Sequence, residues 1–130
     1  MSEPVEGYNA PIGPASFLAQ AVNRKLKSFY GIKHAGHATE RTIRFYATKG
    51  LIDKPEKVDG FDGRMAVFGV KHLHQACILL ALGPRGYKLA SIRRVHKDAT
   101  VGQMDEMLRL VAITEKQIDA KIVGRNDVAS

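Results

Sequence analysis

A mainly α fold, with a short β-ribbon set between helices and one long helix near the C-terminus, is what this 130-residue sequence predicts. Three observations predict it. Apolar residues recur at steps of three and four through most of residues 15–123, the spacing of a helix with one buried face. That period fails over LIDKPEKVDGFDGRMAVFG (51–69), where turn residues separate two short strand-like runs. Positions 104, 108, 111, 115, 118 and 122 then hold Met, Leu, Val, Glu, Ile and Ile, a seam alternating steps of four and three.

Taken in order, residues 1–14 hold three of the five prolines and read as a flexible arm. Residues 15–28, ASFLAQAVNRKLKS, place Phe17, Leu18, Ala21, Val22 and Leu26 at helical spacing and read as an N-terminal helical extension. Phe29, Ile32 and Ala35 suggest a short helix ending near Gly36. Thr39 is a suitable N-cap for the next helix, over 39–48, which buries Ile43 and Ala47 and stops at Gly50, a C′ residue. A ribbon follows, with turn chemistry at Asp53, Pro55, Asp59-Gly60 and Asp62-Gly63. VKHLHQACILLAL (70–82) returns to helical period and breaks at Gly83-Pro84. Leu89, Ile92 and Val95 define another short helix. The seam belongs to a helix over 103–123. It spans about three heptads, so a partner helix is expected to stabilise it.

Composition narrows the function. Apolar residues at 45% suffice for a core, and charged residues at 25% argue against wholesale disorder. No apolar run reaches 18 residues, and MSEPVEGYNAPIGPAS lacks a signal peptide's basic start and apolar stretch. A cytoplasmic, nucleoid-associated protein is expected, with no membrane partner. The net charge is +7 and is unevenly placed. Residues 23–57 carry nine Lys/Arg against three Asp/Glu, and residues 58–102 seven against three, while both ends are slightly acidic. Such concentration favours a polyanionic partner, most often nucleic acid. Enzyme chemistry is not indicated: no nucleophile–base arrangement and no glycine-rich phosphate loop occurs. No cofactor or metal is expected either, because His34/His37 and His72/His74 do not supply three or four converging ligands. Cys77, in an apolar stretch, reads as a small buried hydrophobe.

TERTIRFYATKGLI (39–52) is the segment that suggests chemistry. A helix, a turn and a second helix followed by a ribbon describe a winged helix-turn-helix, whose second helix enters the major groove. With Ile43 inward, Arg41, Thr42 and Arg44 face outward, where arginine can grip phosphate or a guanine edge. Thr39 caps and can donate to phosphate. Phe45 is expected to pack inside, and Tyr46 to bring its hydroxyl to a phosphate. Lys49, Lys54 and Lys57 add nonspecific attraction, and one of Arg93 and Arg94 is placed to reach a flanking phosphate.

TIRFYATKGLI (42–52) resembles the T-(L/I)-R-(Y/F)-Y-x-x-x-G-L-(L/I) signature of MerR-type (mercury-resistance regulator) transcription factors. RGYKLASIRRV (85–95) resembles that family's G-(F/Y)-x-L-x-x-I-x-x-(L/V) segment, and together the resemblance covers about residues 29–98. Departures are Lys33 where a small residue is usual, the turn glycine one position early at Gly36, and Pro84 in a usually continuous helix end. Ala66 and Phe68 stand where the wing has arginine and tyrosine. Arg64, two residues further back on the same strand face, substitutes in this reading.

The resemblance implies a winged helix-turn-helix DNA-binding domain over 29–99, a dimerisation helix over 100–123 and a tail over 124–130. It implies a homodimer on double-stranded palindromic DNA, with RNA polymerase as a further partner. It also implies a DNA contact set of Thr39, Arg41, Thr42, Arg44, Tyr46, Lys49, Lys54 and Arg64, and a dimer seam of Met104, Leu108, Val111, Ile118 and Ile122. After Ile122 only VGRNDVAS remains, so no effector domain is expected. Two rival functions are a DNA-architectural, excisionase-like accessory factor and a protein-interaction adaptor docking through the 104–122 helix.

Overall fold

A computed structural model describes residues 10–60 and 63–129, and of 123–129 only the helical backbone. Residues 1–9 of the arm expected over 1–14, and the turn residue Asp62, lie outside the described residues. The elements run β1 (Pro11–Gly13), α1 (Ala15–Arg24), α2 (Glu40–Thr48), β2 (Glu56–Gly60), β3 (Gly63–Gly69), α3 (Val70–Leu82), α4 (Leu89–His96) and α5 (Val101–Ala129). The predicted class, a mainly α winged helix-turn-helix, is what forms.

Helix α1 buries Ala15, Leu18, Ala19 and Val22, one stripe at steps of three and four. A wider turn over Lys25–Phe29 carries it on, burying Leu26, and Gly31 ends it at φ +71°. Ile32 N–H then donates back to the Leu26 carbonyl at 2.8 Å, a helix stop that a glycine permits and an L side chain resists.

The short helix expected across Phe29, Ile32 and Ala35 therefore does not form. The reason is visible amide by amide. Lys33 and His34 N–H donate to the Glu115 carboxylate at 2.7 and 2.9 Å. Gly36 N–H donates to the Leu80 carbonyl at 2.9 Å. Asn23 receives the Ala38 N–H and donates to the Ala38 carbonyl, both at 2.8 Å. Remote partners thus satisfy a segment that would otherwise need helical bonds. The helix preceding α2 is α1, joined to it by an extended link.

The wing is an antiparallel sheet in the order β1-β3-β2. β2 and β3 pair from Glu56 opposite Val67 to Gly60 opposite Gly63. The third strand comes from residues 11–13, read from sequence as part of the arm. Val70 N–H donates to the Ala10 carbonyl at 2.9 Å, so this segment covers the inner edge of β3.

Helix α3 forms the centre, with every residue from 72 to 81 buried. Its histidines are engaged with backbone. Gly69 N–H donates to His72 Nδ1 at 2.9 Å, which leaves Nε2–H to donate to the Lys54 carbonyl at 3.2 Å. His74 Nδ1–H donates to the Val70 carbonyl at 2.9 Å. Cys77 is buried, and burial pushes its thiol up to about 12. Gly83-Pro84 stops α3 as expected, in a short tight turn.

Helix α5 opens with a reciprocal cap. Thr100 N–H donates to Gln103 Oε1 at 2.9 Å, and Gln103 N–H to Thr100 Oγ1 at 3.0 Å. Met104, Leu108, Ala112 and Glu115 lie buried along its inner side. Its backbone stays helical through residues 124–129, the stretch read as a tail.

His96, at the end of α4, is fully buried, and among the described residues neither ring nitrogen makes a hydrogen bond of ordinary geometry. Burial, with the neighbouring Arg93 guanidinium, pushes its pKa down to about 4 from 6.5. The folded protein thus binds this proton less readily than the unfolded chain. The histidine's contribution is complete above 6.5 and lost as pH falls toward 4. Stability should fall by about 2 kcal/mol between pH 6.5 and 5 from this group. Urea titrations of wild type and His96→Leu across that range check it; equal pH slopes would contradict it.

Candidate nucleic-acid interface

Helix α2 is short, and its ends are both fixed locally. Thr39 Oγ1 accepts the Thr42 N–H at 3.2 Å, Thr42 Oγ1 accepts the Thr39 N–H at 3.1 Å, and the two hydroxyls are 3.0 Å apart. One hydroxyl hydrogen joins the pair, which leaves one to donate outward. At the other end Lys49 is the C-cap, and Gly50 adopts φ +71° with its N–H donating to Ala47. A nine-residue helix capped this way holds its outward side chains in a fixed register.

Ile43 and Tyr46 are the residues α2 buries. The aromatic pair is therefore the reverse of the expectation. Tyr46 is only 5% exposed and Phe45 is 46% exposed. Three residues past Ile43 lies on the inward face, whereas two residues past it lies outside. Burial pushes the Tyr46 hydroxyl up to about 12. Its ring belongs to the core, not to an exposed contact surface.

Arg41 is exposed, and Arg44 is more so, its side chain 70% accessible. Arg44 pairs with Glu40 one turn earlier. An exposed pair of this kind is worth about 0.3–0.5 kcal/mol and yields readily to a phosphate.

Between α2 and the wing lies a cleft of about 850 Å³. Arg44 enters from α2, Lys54 from the loop, Lys57 from β2 and Arg64 from β3, with Pro14, Ala47 and Phe68 among the apolar lining. Among the described residues, no acidic side chain lines it. Arg64 is held in place, its guanidinium donating to the Lys57 carbonyl across the hairpin at 3.1 Å. The cleft thus gathers three of the expected contact residues, Arg44, Lys54 and Arg64, and adds Lys57. Arg41 and Thr39 sit on the adjoining solvent face, and Lys49 is exposed at the far end. Four cations over apolar walls make a groove of one sign, which concentrates field toward an anion.

Behind it, Asp53 fixes the loop. Its carboxylate takes the Arg93 guanidinium at 2.9 Å and Lys71 at 3.3 Å, and its N–H donates to Gln75 at 2.9 Å. Burial opposes its charge, but these partners outweigh that and hold its carboxyl below the usual range. Arg93 is accordingly a brace between α4 and the loop. Arg94 is exposed and donates to Ser91 Oγ at 3.3 Å.

The sequence profile for MerR HTH family regulatory proteins matches residues 33–98, about half of the chain. The chain belongs to the MerR HTH family. This MerR-family protein is a DNA-binding transcriptional regulator by that membership, and the matched region spans α2, the hairpin, α3 and α4. No curated protein and no solved structure matches the chain. Among the described residues of this MerR-family protein, no group of three His, Cys, Asp or Glu could hold a metal ion. Nor is any of its described helices long and apolar enough to cross a membrane.

The expected dimer seam divides in two. Met104 and Leu108 are fully buried by the chain's own core, and Val111 packs partly against it. Ile118 and Ile122 are exposed, as are Leu110 and Ile113. Glu115, the one charged seam position, is buried and engaged with the link before α2. Two signals in the sequence pointed this way. The Ile43-to-Tyr46 step of three, which the expectation for Phe45 overlooked, favours Tyr46 as the inward aromatic, and a lone acid among apolar seam residues marks a position needing a polar partner.

Proposed function

We propose that this MerR-family protein binds a palindromic duplex site as a homodimer and reads it through α2, with the wing held against the flanking backbone. The carrying observation is the cleft in which Arg44, Lys54, Lys57 and Arg64 converge from α2, the loop, β2 and β3, with no acid among its described lining residues. Arg41 and Thr39 extend that surface along α2, and Lys49 closes its far end. Met107, Val111, Ile118 and Ile122 follow at steps of four, seven and four along α5 and supply the dimer stripe, Leu110 beside it. Contact with RNA polymerase and a nucleoid location follow from promoter binding in this reading.

The test is the salt dependence of binding. About five cations per protomer on phosphate give a slope of log affinity against log salt near −4.5 per protomer. Fluorescence anisotropy on a site selected from random duplex DNA measures it, and sedimentation of the complex counts the subunits. A slope near zero would sink the DNA reading. A monomer bound at a site without two-fold symmetry would sink the dimer.

A further inference from the structure

Phe45 is the one large apolar side chain on a basic, solvent-facing side of α2. It lies one turn after Arg41, so the two share the outward face, with Arg44 and Thr48 alongside. It is not among the residues lining the cation cleft. Its ring is steadied by Tyr46, whose centroid is 6.2 Å away at 51°. Tyr46 is itself seated in the core. The phenyl group is therefore exposed on the outward face of α2, beside Arg44 but outside the cleft lining.

A phenyl ring carries no donor or acceptor, so phosphate oxygens and most base edges offer it nothing. The major groove displays one apolar group, the 5-methyl of thymine, and phenylalanine is among the side chains able to contact it. We propose that Phe45 is a specificity-determining residue that reads a thymine methyl in each half-site. This rests on the DNA-binding function proposed above, and adds to the arginine contacts a contact of different chemistry. The face then divides its work: cleft cations hold the backbone, while Arg41 and Phe45 approach the bases.

The test removes the methyl and nothing else. A site is selected from random duplex DNA with the wild-type protein, and each thymine is replaced singly by deoxyuridine, which pairs identically. Wild type should lose about fourfold in affinity at one position per half-site, the worth of one buried methyl. Phe45→Ala should bind the thymine and uracil versions of that position equally. The proposal is overturned if no single replacement weakens wild-type binding, or if Phe45→Ala keeps the wild-type discrimination. The wild-type comparison stands even if the variant is unstable. Salt-dependent binding to random duplex, measured alongside, separates the two levels. Its presence with no thymine effect refutes the Phe45 assignment alone, and its absence in wild type refutes the DNA-binding reading and this one together.

Discussion

Replacing Glu115 by alanine is expected to lower the free energy of unfolding by about 3 kcal/mol. Its side chain is 4% exposed and accepts from the Lys33 N–H at 2.7 Å, the His34 N–H at 2.9 Å and Arg85 at 2.8 Å. Alanine leaves two backbone donors of the link before α2 without acceptors, each costing about 1–3 kcal/mol where water cannot reach. Arg85 loses less, because it is more exposed and still donates to the Ala81 carbonyl. Glu115→Gln keeps the shape and an acceptor oxygen but turns an N–H₂ toward donors, so an intermediate loss is expected.

The pH dependence has a definite sign. Burial disfavours the charged carboxylate, but the Lys33 and His34 amides and Arg85 outweigh it, and the carboxyl is held below its ordinary 4.5. Its contribution is therefore complete above that value and disappears as pH falls through the lower folded value. The gap between wild type and Glu115→Ala, read from urea midpoints, should be full at pH 7 and smaller at pH 3. Coincident midpoints at pH 7 would show that α5 does not hold the link.

The paired substitution Arg44→Ala with Arg64→Ala is expected to weaken DNA binding at least a hundredfold, about 3 kcal/mol. Each guanidinium alone is worth roughly 1–3 kcal/mol. They enter the cleft from different elements, one from α2 and one from β3, so neither can move to replace the other. Stability should hardly change, since Arg44 is 70% accessible and its pair with Glu40 lies at the surface. Arg64 gives up one exposed hydrogen bond to the Lys57 carbonyl. The salt slope should also become shallower by about two, one for each lost phosphate contact. An anisotropy titration within threefold of wild type at equal salt would remove the cleft from the DNA surface.

Much of the helical framework was legible because its signals are local. Thr39 caps one end of α2 and Gly50 stops the other, and the Asp59-Gly60 turn chemistry announces the hairpin. The apolar run 70–82 is the central helix, ended by Gly83-Pro84. Part of the cationic candidate site was legible for the same reason: Arg41 and Arg44 are exposed because the period of α2 leaves them no core to enter.

What the amino-acid sequence by itself determined, then, is most of the helices and the hairpin, their boundaries near caps and glycines, the basic middle of the chain and its kinship. Tertiary structure alone decided the rest. It drew residues 11–13 into the wing, kept residues 31–38 out of helix, and divided the α5 seam between the chain's own core and solvent. The physical reason is separation along the chain. Lys33 and His34 find their acceptor in Glu115, more than eighty residues away, and Asn23 holds Ala38 from fifteen away. A local pattern can state that an amide or an apolar side chain needs a partner, but only the assembled fold supplies one.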